Sequence, residues 1–441
     1  MGLIAFLKIV APGIIFYIGL ITIVVLSLRG RVDKALLLLV PVLPLQNVIE
    51  RLHQFPLGNQ FIDIVLISML IGWFINSQRS KEGLFVSTPY NKLLIIMGIY
   101  LYILLWTGSS YLNFSAPISL NDERLQAWKN YMILPLLFVI VVNNIKDRHQ
   151  MKKLMIALTI GYVISEYYTW RQIGITPGLA SRGKIRGTFV WLGVNEVAAF
   201  FTQYSFVFLG LYLLLKKKMN KIIIGIIFII SNYIILFLFS RGAYLGLIAG
   251  LGAIFFIKKK ILLIPLIVLL IFWQNILPSE VIERIKYTKD EETGTYESSS
   301  QRRIDIWEKS IELFQENPVT GVGYFVFPYL GYDLGDTHNL YMKVLAEQGI
   351  IGMILLLMLF WLALKSTLRL YKESKDDLLK GLGLGFLGCI AATIVNNIFG
   401  DRWTYLQLGS YFWIIMALIA RGNIMIDEQR VHNSNQERRD I

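Results

Sequence analysis

The stretch "GDTHNLYMKVLAEQGIIGMILLLMLFWLAL", Gly335 to Leu364, begins with polar residues and carries no charge after Glu347. A run of about 17–25 predominantly apolar residues is enough to cross the hydrocarbon core of a bilayer. Residues 339–364 therefore read as a membrane-spanning helix with a polar mouth. Twelve further apolar runs follow the same rule: 12–28, 34–49, 61–76, 92–106, 130–142, 154–170, 195–215, 222–239, 243–257, 261–277, 381–399 and 404–420. The predicted fold is an all-α, polytopic integral membrane protein with 12–13 transmembrane helices and one large external loop carrying short helices. Bulk composition agrees. Of the 441 residues 55% are hydrophobic and only 17% charged, at a mean hydropathy of +0.56, whereas soluble domains carry about a quarter charged residues.

The formal net charge of +13 does not indicate nucleic acid, because its placement is topological. Counted back from the C-terminus, alternate loops are the basic ones: 29–34, 79–92, 146–153, 216–221, 258–260, 365–380 and the tail after Arg421. These hold more than half of the 43 Lys and Arg, and the positive-inside rule places them in the cytoplasm. The chain divides into transmembrane helices over 1–277, an external loop over 278–338, transmembrane helices over 339–420 and a cytoplasmic tail over 421–441. Thirteen spans with a cytoplasmic C-terminus put the N-terminus outside; Pro12-Gly13 inside the first apolar run leaves twelve as the alternative. Residues 2–28 are too long for a cleavable signal peptide and lack a small-residue cleavage site. The single cysteine, Cys389, allows neither an intrachain disulfide nor a cysteine-based zinc site.

A 61-residue connection between spans needs structure or function of its own. Ser279 is positioned to cap a helix over 280–289, and Ser298-Ser299-Ser300 one over 301–316. In the second, Ile304, Trp307, Ile311 and Phe314 recur at helical spacing, and Asn317-Pro318 stops it. The pair reads as a lid lying on the bilayer. The tail from Asn433 reads as disordered.

Ionisable residues at membrane depth or against the charge gradient mark candidate chemistry. Lys343 and Glu347 are spaced to pair on one helix face, and Gly349 and Gly352 to admit a neighbouring helix. Arg241 occupies the minimal turn of "FLFSRGAYLG", with Gly242, Gly246 and Gly250 behind it at a spacing for close packing. Arg182, Lys184 and Arg186 cluster ahead of Asn195 and Glu196, which are placed to cap the following helix. Asp401-Arg402 reads as a local ion pair. Guanidinium groups match phosphate bidentately, and His338 stands at an outer helix mouth. No DxD pair, zinc motif or nucleotide loop is present in the sequence. The economical reading is a reaction without metal or cofactor on a phosphate-bearing substrate outside the cell.

Four motifs in order carry a resemblance. "DTHNLYMKVLAEQGIIG" resembles the His-Asn-x-x-Leu, Glu-x-Gly-x-x-Gly signature of the bacterial O-antigen ligase and polymerase superfamily, with its leucine brought forward. "SRGAYLG" resembles that family's Ser-Arg-Gly-Ala turn. "RGTF" followed by Asn195 resembles its Arg-x-x-Gly-Thr-Phe, Asn-Pro-Asn segment, although Val194 stands in place of proline and Arg186 directly precedes Gly187. "RIDIWEKSIELFQENPVTGVGYF" resembles the outer-loop motif, with Arg303, Trp307, Pro318, Gly321 and Gly323 in register. The motifs cover the chain from Arg182 onward; the N-terminal half matches in hydropathy alone.

The resemblance implies a glycosyltransferase of the cytoplasmic membrane, with its active site outside. Its donor would be an undecaprenyl-diphosphate-linked glycan and its acceptor a saccharide or lipid-glycan. Arg186 and Arg241 would bind the diphosphate, and His338 would act as general base on the acceptor hydroxyl or orient it. Arg303, Arg402, Glu347 and Asn339 are weaker site candidates. Lys- and Ile-rich usage points to an organism without lipopolysaccharide, which tilts the expectation toward polymerase rather than ligase. A transporter or flippase of lipid-linked glycan is the alternative. It is disfavoured because neither half resembles the other and the polar clusters sit at the outer mouths.

Overall fold

The computed structural model describes residues 3–80, 83–175, 178–286, 298–331 and 336–437. In chain order the helices are α1 (Leu3–Leu28), α2 (Val32–Leu39), α3 (Gln46–Leu52), α4 (Phe61–Ser80), α5 (Asn91–Tyr111) and α6 (Glu123–Asn144). There follow α7 (Arg148–Ile175), α8 (Val194–Leu214), α9 (Lys218–Phe237), α10 (Arg241–Lys258), α11 (Leu263–Ile271) and α12 (Trp273–Ile276). The last are α13 (Ser279–Lys286), α14 (Ser298–Glu316), α15 (Leu340–Glu373), α16 (Asp377–Asn396) and α17 (Leu406–Glu437). No strand occurs among the described residues. The all-α, multi-pass architecture is the one the apolar runs dictate.

Among the described residues nine helices are long and apolar enough to cross a membrane, or ten if the bent pair around α2 and α3 is one span. That pair turns by 108° where Pro41 and Pro44 interrupt the run, since proline lacks the N–H that would continue the helix. Three more of the thirteen apolar runs form α1, α7 and α11. α11 has nine residues, about 14 Å at the α-helical rise, or half of a hydrocarbon core. α7 is diluted by Arg148, Lys152, Lys153, Glu166 and Arg171.

The centre of the bundle is α8, α16 and α17, whose apolar windows are 83%, 78% and 89% buried. α8 and α16 meet backbone to backbone: a Cβ on Gly210 would lie 2.2 Å from the Gly385 nitrogen. Without a water-exclusion drive inside lipid, such close packing is what holds helices together. α10 docks on this centre through the glycines at fourfold spacing, Gly242 against Phe399, Gly246 against Asn396 and Gly250 against Phe206. The outward faces of α5 and α9 carry exposed Ile95, Ile99, Ile103, Ile222, Ile226 and Ile229, the apolar surface a bilayer covers.

The long loop departs from the expected surface lid. α13 and α14 form, and Asn317-Pro318 ends α14, but the next residues thread into the bundle. α15 is broken at Gly349 (φ 61°, ψ −162°). The main-chain groups released there are taken up by the loop: Val322 N donates to Ala346 O (2.9 Å), Gly323 N to Glu347 O (3.0 Å), and Ile350 N to Pro318 O (2.9 Å). Tyr324 N donates to Leu104 O of α5 at 2.9 Å, and the Tyr100 hydroxyl to Gln348 O at 2.7 Å. Irregular backbone inside a membrane protein is tolerated only when its polar groups are paired in this way. Gly349 thus admits a loop rather than a helix: a Cβ there would lie 2.4 Å from Val319 O.

The buried face of α14 is set by the same insertion. Ile306, Ser310 and Leu313 are buried, with Trp307 beside them, while Ile311 is exposed. The predicted stripe is therefore rotated, because α14 packs on α15 and the inserted strand of loop rather than on lipid. Ser279 and Ser298 are the first residues of α13 and α14; the end of the first expected helix, Lys289, falls outside the described residues. The tail from Asn433, expected to be disordered, continues α17 as far as Glu437.

Candidate functional site

The loop end of α15 is fixed by Thr337-His338-Asn339. The Asn339 side chain accepts from Tyr341 N (3.0 Å) and Met342 N (3.3 Å), capping the helix. Leu340 N donates to Asn397 O (2.9 Å), tying this end to the connection between α16 and α17. Thr337 Oγ1 donates to Asn339 O (2.7 Å), and Trp307 Nε1 of α14 donates to Thr337 O (3.0 Å). Between them His338 is held half-buried at φ 48°, a left-handed conformation that non-glycine residues rarely occupy and that persists only where neighbours enforce it.

Four charged groups act on the His338 imidazole: Asp336, Arg303 of α14, Arg402 of the α16–α17 connection and Glu196 of α8. Its pKa is lowered from the ordinary value, chiefly by burial; the two arginines lower it further and the two carboxylates oppose them. Arg402 is 5% exposed and pairs with Glu196 Oε1; its backbone nitrogen donates to Asn397 Oδ1 at 2.9 Å. Glu196 and Asn195 therefore do not cap α8, whose N-cap position is Gly193. They face arginines instead.

Beneath this layer Lys343 Nζ lies 3.1 Å from Asp401 Oδ2 and 3.9 Å from Asp336 Oδ1. Asp401 also accepts from Trp403 N and Thr404 N (3.0 Å each) and from the Thr404 hydroxyl (2.6 Å). Burial raises its pKa, but Lys343 and these donors outweigh burial and leave it low. Two expected pairings are thus replaced. Lys343 joins Asp401 rather than Glu347, and Arg402 joins Glu196 rather than Asp401, because the fold brings α8 and the α16–α17 connection to the mouth of α15. Glu347 is 1% exposed and its Oε1 accepts from Phe327 N (3.0 Å), fastening the inserted loop. The cavity between Lys343, Glu347, Tyr324 and Trp403 measures about 20 Å³, room for water but not for a sugar ring.

A second basic group sits at the turn between α9 and α10. Arg182 donates to Leu238 O (3.3 Å) and to Asn195 Oδ1 (2.8 Å), and Arg284 Nε to Phe239 O (3.4 Å). Both arginines act on the Tyr244 hydroxyl, and Arg241 begins α10 at the same turn. Arg186 is turned to its own loop, donating to Gly183 O (2.6 Å) and Ile185 O (3.2 Å), while Gln172 Oε1 accepts from Arg186 N and Gly187 N (2.9 and 2.8 Å). The two groups adjoin: consecutive residues Asn195 and Glu196 bond Arg182 and Arg402, and Phe399, whose carbonyl accepts from Arg402, packs on Gly242.

The structure therefore gathers His338, Asn339, Arg303 and Arg402 at one mouth, with Arg241 close by, Glu347 below and Arg186 set in its own loop. Sequence reasoning missed Asp336 and Arg284 and read Glu196 as a cap; Arg182 was in view but passed over for Arg186. The signal for Asp336 was its place two residues before His338. Arg284 carried none, since only the fold returns α13 to the α9–α10 turn.

Residues 224–357 match the family model described as O-antigen ligase. The matched segment runs from α9 into α15 and contains Arg241, Arg303, His338, Asn339 and Glu347. No curated protein matches the chain.

Proposed function

We propose that this multi-pass membrane protein of the O-antigen ligase and polymerase superfamily is an inverting, metal-independent glycosyltransferase that works on the outer side of the cytoplasmic membrane. Its donor is an undecaprenyl-diphosphate-linked oligosaccharide, and polymerisation of repeat units into a surface polysaccharide is favoured over ligation to a final acceptor. The acceptor hydroxyl oxygen attacks the anomeric carbon from the face opposite the diphosphate. The bond from that carbon to the phosphate oxygen breaks, undecaprenyl diphosphate leaves with the electron pair, and the hydroxyl proton passes to the His338 imidazole.

The observation that carries this reading is a histidine held half-buried, in a left-handed conformation, at the edge of an arginine-rich mouth. Burial lowers its pKa from the ordinary value and so favours the neutral imidazole, the form a general base requires. Charge on the departing diphosphate is stabilised by guanidinium groups already in place. Arg241 takes this role, joined by Arg182 and Arg284 at the α9–α10 turn, and Arg186 joins them by turning its guanidinium out of its own loop. Arg303 and Arg402 flank the base, and Asn339 and Glu347 set the backbone that presents it.

The test is complementation of a deletion strain with wild type or His338→Ala, followed by gel and mass analysis of surface and lipid-linked glycans. Loss of the general base should lower transfer about 10²–10⁴-fold. Single repeats accumulating on the carrier indicate the polymerase, and full-length chains on the carrier indicate a ligase. A wild-type pattern from His338→Ala at normal protein levels removes the catalytic assignment.

A further inference from the structure

We propose that Trp191 and Tyr405 form an aromatic platform that seats a sugar ring of the acceptor beside the His338 mouth. This deepens the glycosyltransferase reading and rests on it. Trp191 belongs to the loop entering α8, five residues before Glu196. Its side chain is exposed (56%), whereas Phe189 two residues earlier is fully buried. The indole packs against the Tyr405 ring at 61°, with centroids 5.5 Å apart.

The Tyr405 hydroxyl is within electrostatic reach of Asp401, Asp336 and Glu196, and the last two also act on His338. Trp191 and Tyr405 lie on the two chain segments that the Glu196–Arg402 ion pair joins, and both of those charged residues act on His338. A pyranose presents a face of weakly positive C–H groups, which matches the negative face of an aromatic ring, and a rim of hydroxyls that need partners. Asp336, whose enclosed Oδ1 faces Lys343 Nζ at 3.9 Å, keeps its side chain about one-fifth exposed, an acceptor for such a hydroxyl.

An exposed tryptophan in a membrane protein has another common role, anchoring at the bilayer boundary. That role requires lipid contact and is indifferent to saccharide. Trp361 on α15, also 56% exposed and lying under Lys365, is the control for it.

The experiment uses full-length protein in nanodiscs and, as probe, oligosaccharides of one to three repeats from partial hydrolysis of the host's surface polysaccharide. Binding is read by saturation-transfer NMR, and transfer with lipid-linked glycan extracted from the deletion strain. Trp191→Leu should raise the acceptor KM and the oligosaccharide Kd about tenfold while changing kcat little, as loss of one aromatic contact does. Trp191→Phe should recover most of the binding, and Trp361→Leu should bind as wild type. Equal binding by Trp191→Leu and wild type, or equal weakening by Trp361→Leu, overturns the platform. If Trp191→Leu binds normally while wild type transfers glycan, the platform alone fails; if wild type transfers none, the transferase reading fails with it.

Discussion

His338 combines two costs, a left-handed backbone and partial burial among charges. Asp336 faces it from its own turn, and the other groups come from three more places: Arg303 from α14, Arg402 from the α16–α17 connection and Glu196 from α8. If its neutral form is the base, transfer falls as pH drops through a value below the ordinary histidine pKa and is flat at neutral pH. Asp336 raises that pKa, so Asp336→Asn should move the acid limb to lower pH, measured as transfer rate against pH on extracted lipid-linked glycan. A limb that stays in place would detach Asp336 from the base. His338 was legible in sequence from its position at a helix mouth. Of its partners, Arg303 and Arg402 were in view as weaker candidates, Glu196 had read as a cap, and Asp336, two residues before it, was passed over.

The element on which the site depends is α15. Its apolar length was plain in the sequence, but its break was not, since Gly349 looks like any small residue placed for helix packing. Only the loop inserted beside it reveals that φ 61° and close approach both require glycine there. Gly349→Ala should therefore cost more than the about 1–3 kcal/mol of a strained backbone, because its Cβ would also meet Val319 O. The measurement is thermal unfolding of detergent-purified protein, where a melting temperature within a degree of wild type would contradict the inserted loop. The lid expected from the amphipathic pattern of α14 failed for the same reason: periodicity shows that a helix has an apolar face but not what covers it.

For the molecule as a whole, hydropathy and the alternation of basic loops were enough to read the all-α, multi-pass architecture. The uncertain part, how many runs are full spans, rested on prolines and scattered charges in α1 to α3, α7 and α11, where length and composition pull apart. Charge bias proposes a sidedness that is open to direct test. Cys389 is fully buried, so a membrane-impermeant thiol reagent has little native background. Gln315→Cys on exposed α14 should label in intact cells, and His432→Cys in the tail only after permeabilisation; the reverse pattern would put the His338 mouth in the cytoplasm and exclude an external substrate.

The loop threaded through the α15 break also bears on how the protein is made. The three segments that meet there, α5 around Leu104, the loop from Pro318 to Tyr324, and the break from Ala346 to Ile350, leave the ribosome in that order. α5 and the loop are thus synthesised before α15, so the partners of the released backbone groups precede them. The wedge precedes the helix it splits. Biogenesis in the opposite order would have to extract a finished, continuous helix before the site could form.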